Sequence, residues 1–289
     1  MNGVARIRRE NGFPTLRELD PGLAHVARWE AALSLAVPWC CLAVYALAAA
    51  AAAADPWWWA LAVLATVLLS FFTYGSVSHD LVHGNLGLSR AWNRRWLTAV
   101  ELLCVRSGTA YQAAHLHHHA RFPAEDDLEG AAAGMSLGRS ILDGFTLQPR
   151  LWLWAVRRGG PLKRRIVAEG VACVCVVIGS LALLPWAAAP AVFVGLMVAG
   201  SWILPVMTSH LPHDAHAEGA LHQTKRFRGG VFSLLAVEHL YHVEHHLYPQ
   251  VPHHRWKALA EKLDPFFERA GVEAIRVGVG GAGGKRGGA

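Results

Sequence analysis

The sequence predicts an all-α integral membrane protein: four transmembrane helices in two hairpins, with a helical, histidine-rich cap on the cytoplasmic side. Three observations carry this. Apolar residues make up 53% of the 289 and charged ones only 17%, against roughly 25% charged in a soluble domain. Although Lys and Arg total 27, none falls in residues 29–89 or 166–224. And the 17 histidines gather near the ends of those two uncharged blocks instead of being spread evenly.

A spanning helix needs about 20 mostly apolar residues, and each block holds two. The first runs over 31–54, with Pro38 inside it as a kink point. Asp55-Pro56 turns the chain, and 57–78 returns, led by the Trp57-Trp58-Trp59 cluster suited to the headgroup level. The second block repeats the plan over 166–184 and 191–209, turning near Pro185, Trp186 and Pro190. Both termini and the middle loop then lie on one side. All 27 basic residues lie in 1–28, 90–165 and 225–289, the three segments on that side. By the positive-inside rule that side is cytoplasmic, and a bacterial inner membrane is the expected location.

The remaining segments follow from their patterns. Residues 96–104 are too short to span and read as an amphipathic helix at the interface. Residues 115–165 read as polar and cytoplasmic. From Phe232 onward the chain reads as the helical cap, with 256–267 an amphipathic helix. Residues 1–276 form one membrane-embedded domain, and 277–289, rich in Gly, read as a disordered tail. The composition excludes a disordered chain, a secreted disulfide scaffold and an ordinary cytosolic enzyme. The net charge of +6 follows from the positive-inside bias. No basic stripe interleaved with aromatics points to nucleic acid. The five cysteines, Cys40, Cys41, Cys104, Cys173 and Cys175, read as small apolar-run residues rather than a metal clip.

The histidines form patterns. HDLVH puts His79 and His83 four apart, on one face of a helix continuing from the second span. HLHHH and HVEHH both give H-x-x-H-H: His115, His118 and His119, then His242, His245 and His246. SHLPH adds His210 and His213 where the last span ends. Each cluster falls at the cytoplasmic end of a span or in a cytoplasmic segment, so the topology lets them converge. Neutral imidazole binds first-row metals such as Fe, Zn, Cu and Ni. Eight or nine imidazoles exceed what one ion takes, which suggests a di-metal site. His25, His117, His216, His222, His253 and His254 read as surface or loop residues.

Through HDLVH, HLHHH and HVEHHLYPQVP, in order and spacing, residues 57–265 resemble the membrane fatty acid desaturase superfamily, which includes carotenoid ketolases and hydroxylases. The resemblance implies a histidine-held di-iron centre (two Fe ions) that uses O2 to attack an unactivated C–H bond. Its ligands would be His79, His83, His115, His118, His119, His242, His245 and His246. One further ligand is implied at the end of the last span. His210 and His213 both remain open for it: TSHL looks desaturase-like, LPH resembles the carotenoid branch. An Asn that some desaturases place one turn earlier is absent, since Val206 occupies that spot.

Imidazole ligands need partners on their other nitrogen, often carboxylates. Asp80 is the leading candidate, with Asp126, Asp127, Glu238 and Glu244 also near the boxes. Phe71, Phe72, Tyr74 and Trp202 are candidates to line an apolar pocket beside the metals. No electron-transfer motif is visible, so a separate, ferredoxin-like donor is expected, drawn to the basic face. The favoured function is a fatty acyl (lipid) desaturase. The alternatives are a carotenoid ketolase or hydroxylase, an acyl hydroxylase and, further off, a metal transporter. An intramembrane zinc protease is excluded by the lack of H-E-x-x-H. A transporter is disfavoured because Glu169 is the only ionisable residue within a span.

Overall fold

The structure, a computed structural model, describes residues 2–229 and 239–277. The expected Gly-rich tail beyond 277 and the candidate Glu238 lie outside the described residues. Among the described residues, four helical stretches are long and apolar enough to cross a membrane: Arg28–Ala51, Trp58–His83, Gly160–Ala182 and Ala189–His210. Two short helices precede them, α1 (Asn2–Glu10) and α2 (Leu16–Leu19), the second opened by a Thr15–Glu18 capping box. The first span is α3 (Arg28–Ala51), which starts three residues earlier than expected. There the Glu30 carboxylate accepts the Ala27 N–H at 2.7 Å, satisfying a donor that the helix start leaves unpaired. Pro38 lies within the helix. Asp55 Oδ1 accepts the Trp57 N–H at 3.1 Å and shapes the turn into α4 (Trp58–Phe72), which packs along α3.

The second span does not stop at 78. A π-helical turn, Thr73–Val77, links α4 to α5 (Ser78–His83), so the helix continues through both first-box histidines. Within the turn Thr73 Oγ1 donates to the Leu69 carbonyl and Ser76 Oγ to that of Phe72. Gly84 then ends the helix at φ +74°, a left-handed conformation glycine takes without strain. The fourth span has the same construction. It comprises α10 (Ala189–Gly200), a 3-10 turn Ser201–Ile203 and a second π turn, Val206–His210. π turns are rare and often sit at functional sites; here both lie just before histidine clusters.

Between the second and third spans come α6 (Arg90–Leu103), α7 (Gly108–Arg121) and α8 (Leu137–Arg158). α6 is amphipathic, as its pattern suggested, but Glu101 is fully buried and holds Arg106 through two hydrogen bonds, 2.8 and 3.1 Å. The reading of 115–165 as polar is overturned. Leu137, Ile141, Leu142, Phe145 and Leu153 of α8 are exposed, while Leu147, Leu151 and Ala155 are buried on its other side. Arg and Gln between these positions hid the pattern. α8 packs against the fourth span with almost no gap: a Cβ at Gly144 would lie 1.8 Å from the Trp202 carbonyl oxygen.

The third span, α9 (Lys163–Ala182), carries Glu169, which is buried. Its carboxylate accepts from Ser107 Oγ (2.7 Å), the Thr109 N–H (2.8 Å) and Arg165 Nε (3.1 Å), so α7 is tied to α9. After the fourth span, α11 (His242–Leu247) and α12 (Trp256–Arg269) pack with α1 and α2 into a second apolar core. Trp256, Leu259, Leu263 and Phe267, spaced three and four apart, are fully buried there, each contributing about 2 kcal/mol. β1 (Phe227–Arg228) pairs in parallel with β2 (Ile275–Arg276).

Candidate metal centre

Among the described residues, nine histidines from four separate segments meet in two groups. His79, His83, His115, His119 and His245 form one; His118, His213, His242 and His246 form the other. Within each, the candidate donor atoms all lie within 4.8 Å of one another. Helix geometry explains the division. On α7 and α11 alike, residues i and i+4 share a face, while residue i+3 lies to its side. His115 and His119 therefore serve the first group and His118 the second. His242 and His246 serve the second and His245 the first. Each H-x-x-H-H pattern straddles both groups.

His213, not His210, completes the second group. The segment after the π turn folds back, with the Asp214 N–H donating to the Gln223 carbonyl (2.9 Å) and Lys225 N–H to that of Pro212 (2.7 Å). This brings His213 to full burial. His210 lies apart, its Nδ1 3.3 Å from the Ala132 carbonyl.

The nitrogens face inward. In the first group the Nε2 atoms close a ring, with separations of 3.0 Å (His79–His245), 2.8 Å (His245–His119), 3.1 Å (His119–His115) and 3.1 Å (His115–His79). The buried Nε2 of His83 has no hydrogen-bond partner. In the second, the separations are 3.2 Å (His118–His213), 3.2 Å (His213–His246) and 3.1 Å (His246–His242). The outer nitrogens set the tautomers: His115 Nδ1 lies 2.8 Å from Glu129 Oε1 and His118 Nδ1 2.7 Å from Asp127 Oδ2. A carboxylate only accepts, so Nδ1 carries the proton and Nε2 turns a lone pair inward. With the proton held outward on His115 and His118, their Nε2 lone pairs are free to take a cation.

Imidazole donors suit several first-row ions, iron, zinc, copper and nickel among them, and the protonation of the rings is compatible with such an ion. Burial, reinforced by neighbouring imidazoles, pushes His119, His213, His245 and His246 well below the usual 6.5, leaving them neutral. For His118 burial acts the same way, but the hydrogen bond and charge of Asp127 outweigh it and raise the value.

A family model described as fatty acid desaturase matches residues 56–277. The chain belongs to the fatty acid desaturase family. No curated protein sequence matches it. Membership makes the protein a membrane oxidoreductase of the desaturase–hydroxylase type with lipid as its substrate class, and the two histidine clusters could hold metal ions.

Several carboxylates fall elsewhere than expected. Asp80, fully buried beside His79, does not hold an imidazole of either group. Its oxygens take the backbone N–H of His253 (3.0 Å) and face His253 Nδ1 (2.6 Å). His253 is thus no loose surface residue. Asn85 Nδ2 donates to the Pro249 carbonyl (3.0 Å), so the chain after the third box is fastened to the end of the first. Asp126 pairs with Arg158 (2.9 Å) and His117 (3.4 Å) at the surface. Glu244 ion-pairs with Arg228 (2.6 Å); burial raises its pKa, against the pull of Arg228. Of the candidates among the described residues, Asp127 is the one bonded to a clustered histidine. Glu129, buried and bonded to His115, was missed, although it belongs to the same acidic run, EDDLE, that follows the second box.

Proposed function

We propose that the protein is an O2-dependent oxidoreductase of the bacterial inner membrane that oxidises C–H bonds of an apolar lipid, its site facing the cytoplasm. The observation that carries this is the pair of inward-facing imidazole groups at the ends of two spans. His79, His83, His115, His119 and His245 would hold one iron; His118, His213, His242 and His246 would hold the other. When bound, the iron pair supplies O2 activation, with electrons from a separate ferredoxin-like donor. The chain's own residues do the rest. Glu129 and Asp127 keep the protons of His115 and His118 on Nδ1 and so orient both rings. Tyr74 Oη, 3.3 Å from Glu129 Oε1, donates to the same carboxylate. Trp256, 5.2 Å from the His79 ring and 4.8 Å from that of His245, keeps water from the first group.

Two substrate classes remain. The acyl desaturase reading rests on the boxes and their flanking residues. One observation favours the second, a carotenoid ketolase or hydroxylase: the ninth histidine is His213 of LPH, the context resembling that branch, and not His210 of TSHL. Lipid and pigment profiling of expressing cells, with a His118→Ala control, separates them. New unsaturated acyl chains with unchanged pigments support the first; oxygenated carotenoids with unchanged acyl chains support the second. Zinc in place of iron on elemental analysis removes both.

A further inference from the structure

The geometry points to a lateral entry: an apolar molecule reaches the histidines from within the bilayer, terminus first, between the second and fourth spans, past Met207. The inference rests on the reading that this site oxidises a membrane lipid, and it states which part of that lipid is presented.

Two adjoining cavities carry it. The inner one, about 10 Å³, is walled by histidines of both groups, Tyr74, Glu129, Met207, Thr208 and Trp256. It has room for about one water-sized group. The outer one, about 210 Å³, lies between α4 and the fourth span and shares Tyr74, Met207 and Thr208 with the inner. Its mouth is formed by Val67 and Ile203, 55% and 46% exposed, on segments that lipid tails surround. Gly75 and Gly200 line it where larger side chains would narrow it.

Depth decides which end enters. At ~1.5 Å per residue, Val67 precedes His79 by a rise of about 18 Å and Ile203 precedes His210 by about 10 Å. In a hydrocarbon core about 30 Å thick, the mouth therefore opens deep among the acyl tails, between the inner half and the mid-plane. A polar headgroup brought to that depth loses its hydration without a partner, so the apolar end leads. The inner cavity then admits a terminal group and no more. The oxidised carbons lie close to the apolar end of the substrate, be it the tail of an acyl chain or the end group of a polyene. A bond close to the headgroup is not reached by this route.

The test uses the full-length protein in lipid vesicles and two photoreactive fatty acids. One carries a diazirine at the terminal carbon, the other at a carbon next to the carboxyl. The terminal probe is expected to label Met207, Thr208 or Tyr74, and the carboxyl-side probe only the lipid-facing surface. Labelling of those three residues by both probes alike, or by the carboxyl-side probe alone, overturns the proposal. Met207→Trp should abolish the inner label. Val67→Trp, at a lipid-exposed position with little packing to break, should lower it. If both variants insert with normal iron content and label as the parent does, the passage is refuted. Labelling needs no turnover, so the two readings fail separately. Terminal labelling in a protein that oxidises no lipid upholds the passage and removes the oxidoreductase reading. Oxidation beside the headgroup without terminal labelling does the reverse.

Discussion

The two histidine groups share one residue type yet are built differently. The first takes two helical pairs, His79/His83 and His115/His119, plus the single His245. The second takes one pair, His242/His246, and two singles, His118 and His213. A pair spaced i, i+4 is positioned by its own helix. A single histidine depends on whatever holds its segment: for His118 the Asp127 carboxylate at 2.7 Å, for His213 a folded-back loop and the Ser209 carbonyl, 3.2 Å from Nδ1. The four-histidine group therefore relies more on long-range packing and has fewer donors to lose.

The largest expected effect follows from that. His118→Ala leaves three imidazoles in the second group, while His245→Ala leaves four in the first. Both should abolish turnover. Iron content separates them: His118→Ala should fall from about two irons per chain to about one, and His245→Ala should retain more. Equal loss in the two variants would erase the distinction between the groups.

Much of this was legible in the sequence, for a physical reason. Helix periodicity is local, so the uncharged blocks, the basic asymmetry and the H-x-x-H-H patterns can be read residue by residue. The first-box helix was expected because His79 and His83 need one face. What escaped reading depends on distant contacts. His213 joins the site only because residues 212–214 pair with 223–225. Asp80 looked like an imidazole partner from its place beside His79, but its helix turns it toward His253, which lies far along the chain. The exposed apolar face of α8 was hidden because polar residues interrupt it, and the π turns have no sequence signature as clear as a proline or a cap.

Carboxylate removal gives the next effect. Glu129→Gln and Asp127→Asn keep the shape of each side chain but let it donate as well as accept, loosening the tautomers of His115 and His118. Each should lower metal affinity or activity by about 10–100-fold, measured by chelator competition in purified protein. Asp127→Asn should cost more, because His118 has no helical partner in its group. The reverse order would show that pairing on a helix does not stabilise a group.

Metal removal should expose a pH dependence. In the stripped protein His119, His213, His245 and His246 stay neutral well below 6.5, whereas the unfolded chain takes up protons there. The unfolded state then binds more protons, so stability falls as the pH drops below about 6.5, by up to ~1.4 kcal/mol per histidine per pH unit. His118, raised by Asp127, acts in the opposite direction and is outweighed by these four. Thermal melting in detergent between neutral and mildly acidic pH should show the stripped protein losing stability first. The iron-loaded protein resists until protons displace the metal. Coincident curves would mean that the imidazoles are not held neutral by the fold.

The smallest effect sharpens the comparison most. His210 and His213 stand three residues apart at the same span end, and only His213 meets the second group. His210→Ala removes a partly buried ring whose Nδ1 lies 3.3 Å from the Ala132 carbonyl, longer than the usual hydrogen bond. Its turnover should stay within about twofold of the parent and its iron content should not change, a stability cost of about 1 kcal/mol at most. His213→Ala should behave like His118→Ala. If His210→Ala instead released iron, the fourth span would have to turn by a residue or two when metal binds, and the ligand would come from the π turn itself rather than from the loop that the 223–225 segment pins down.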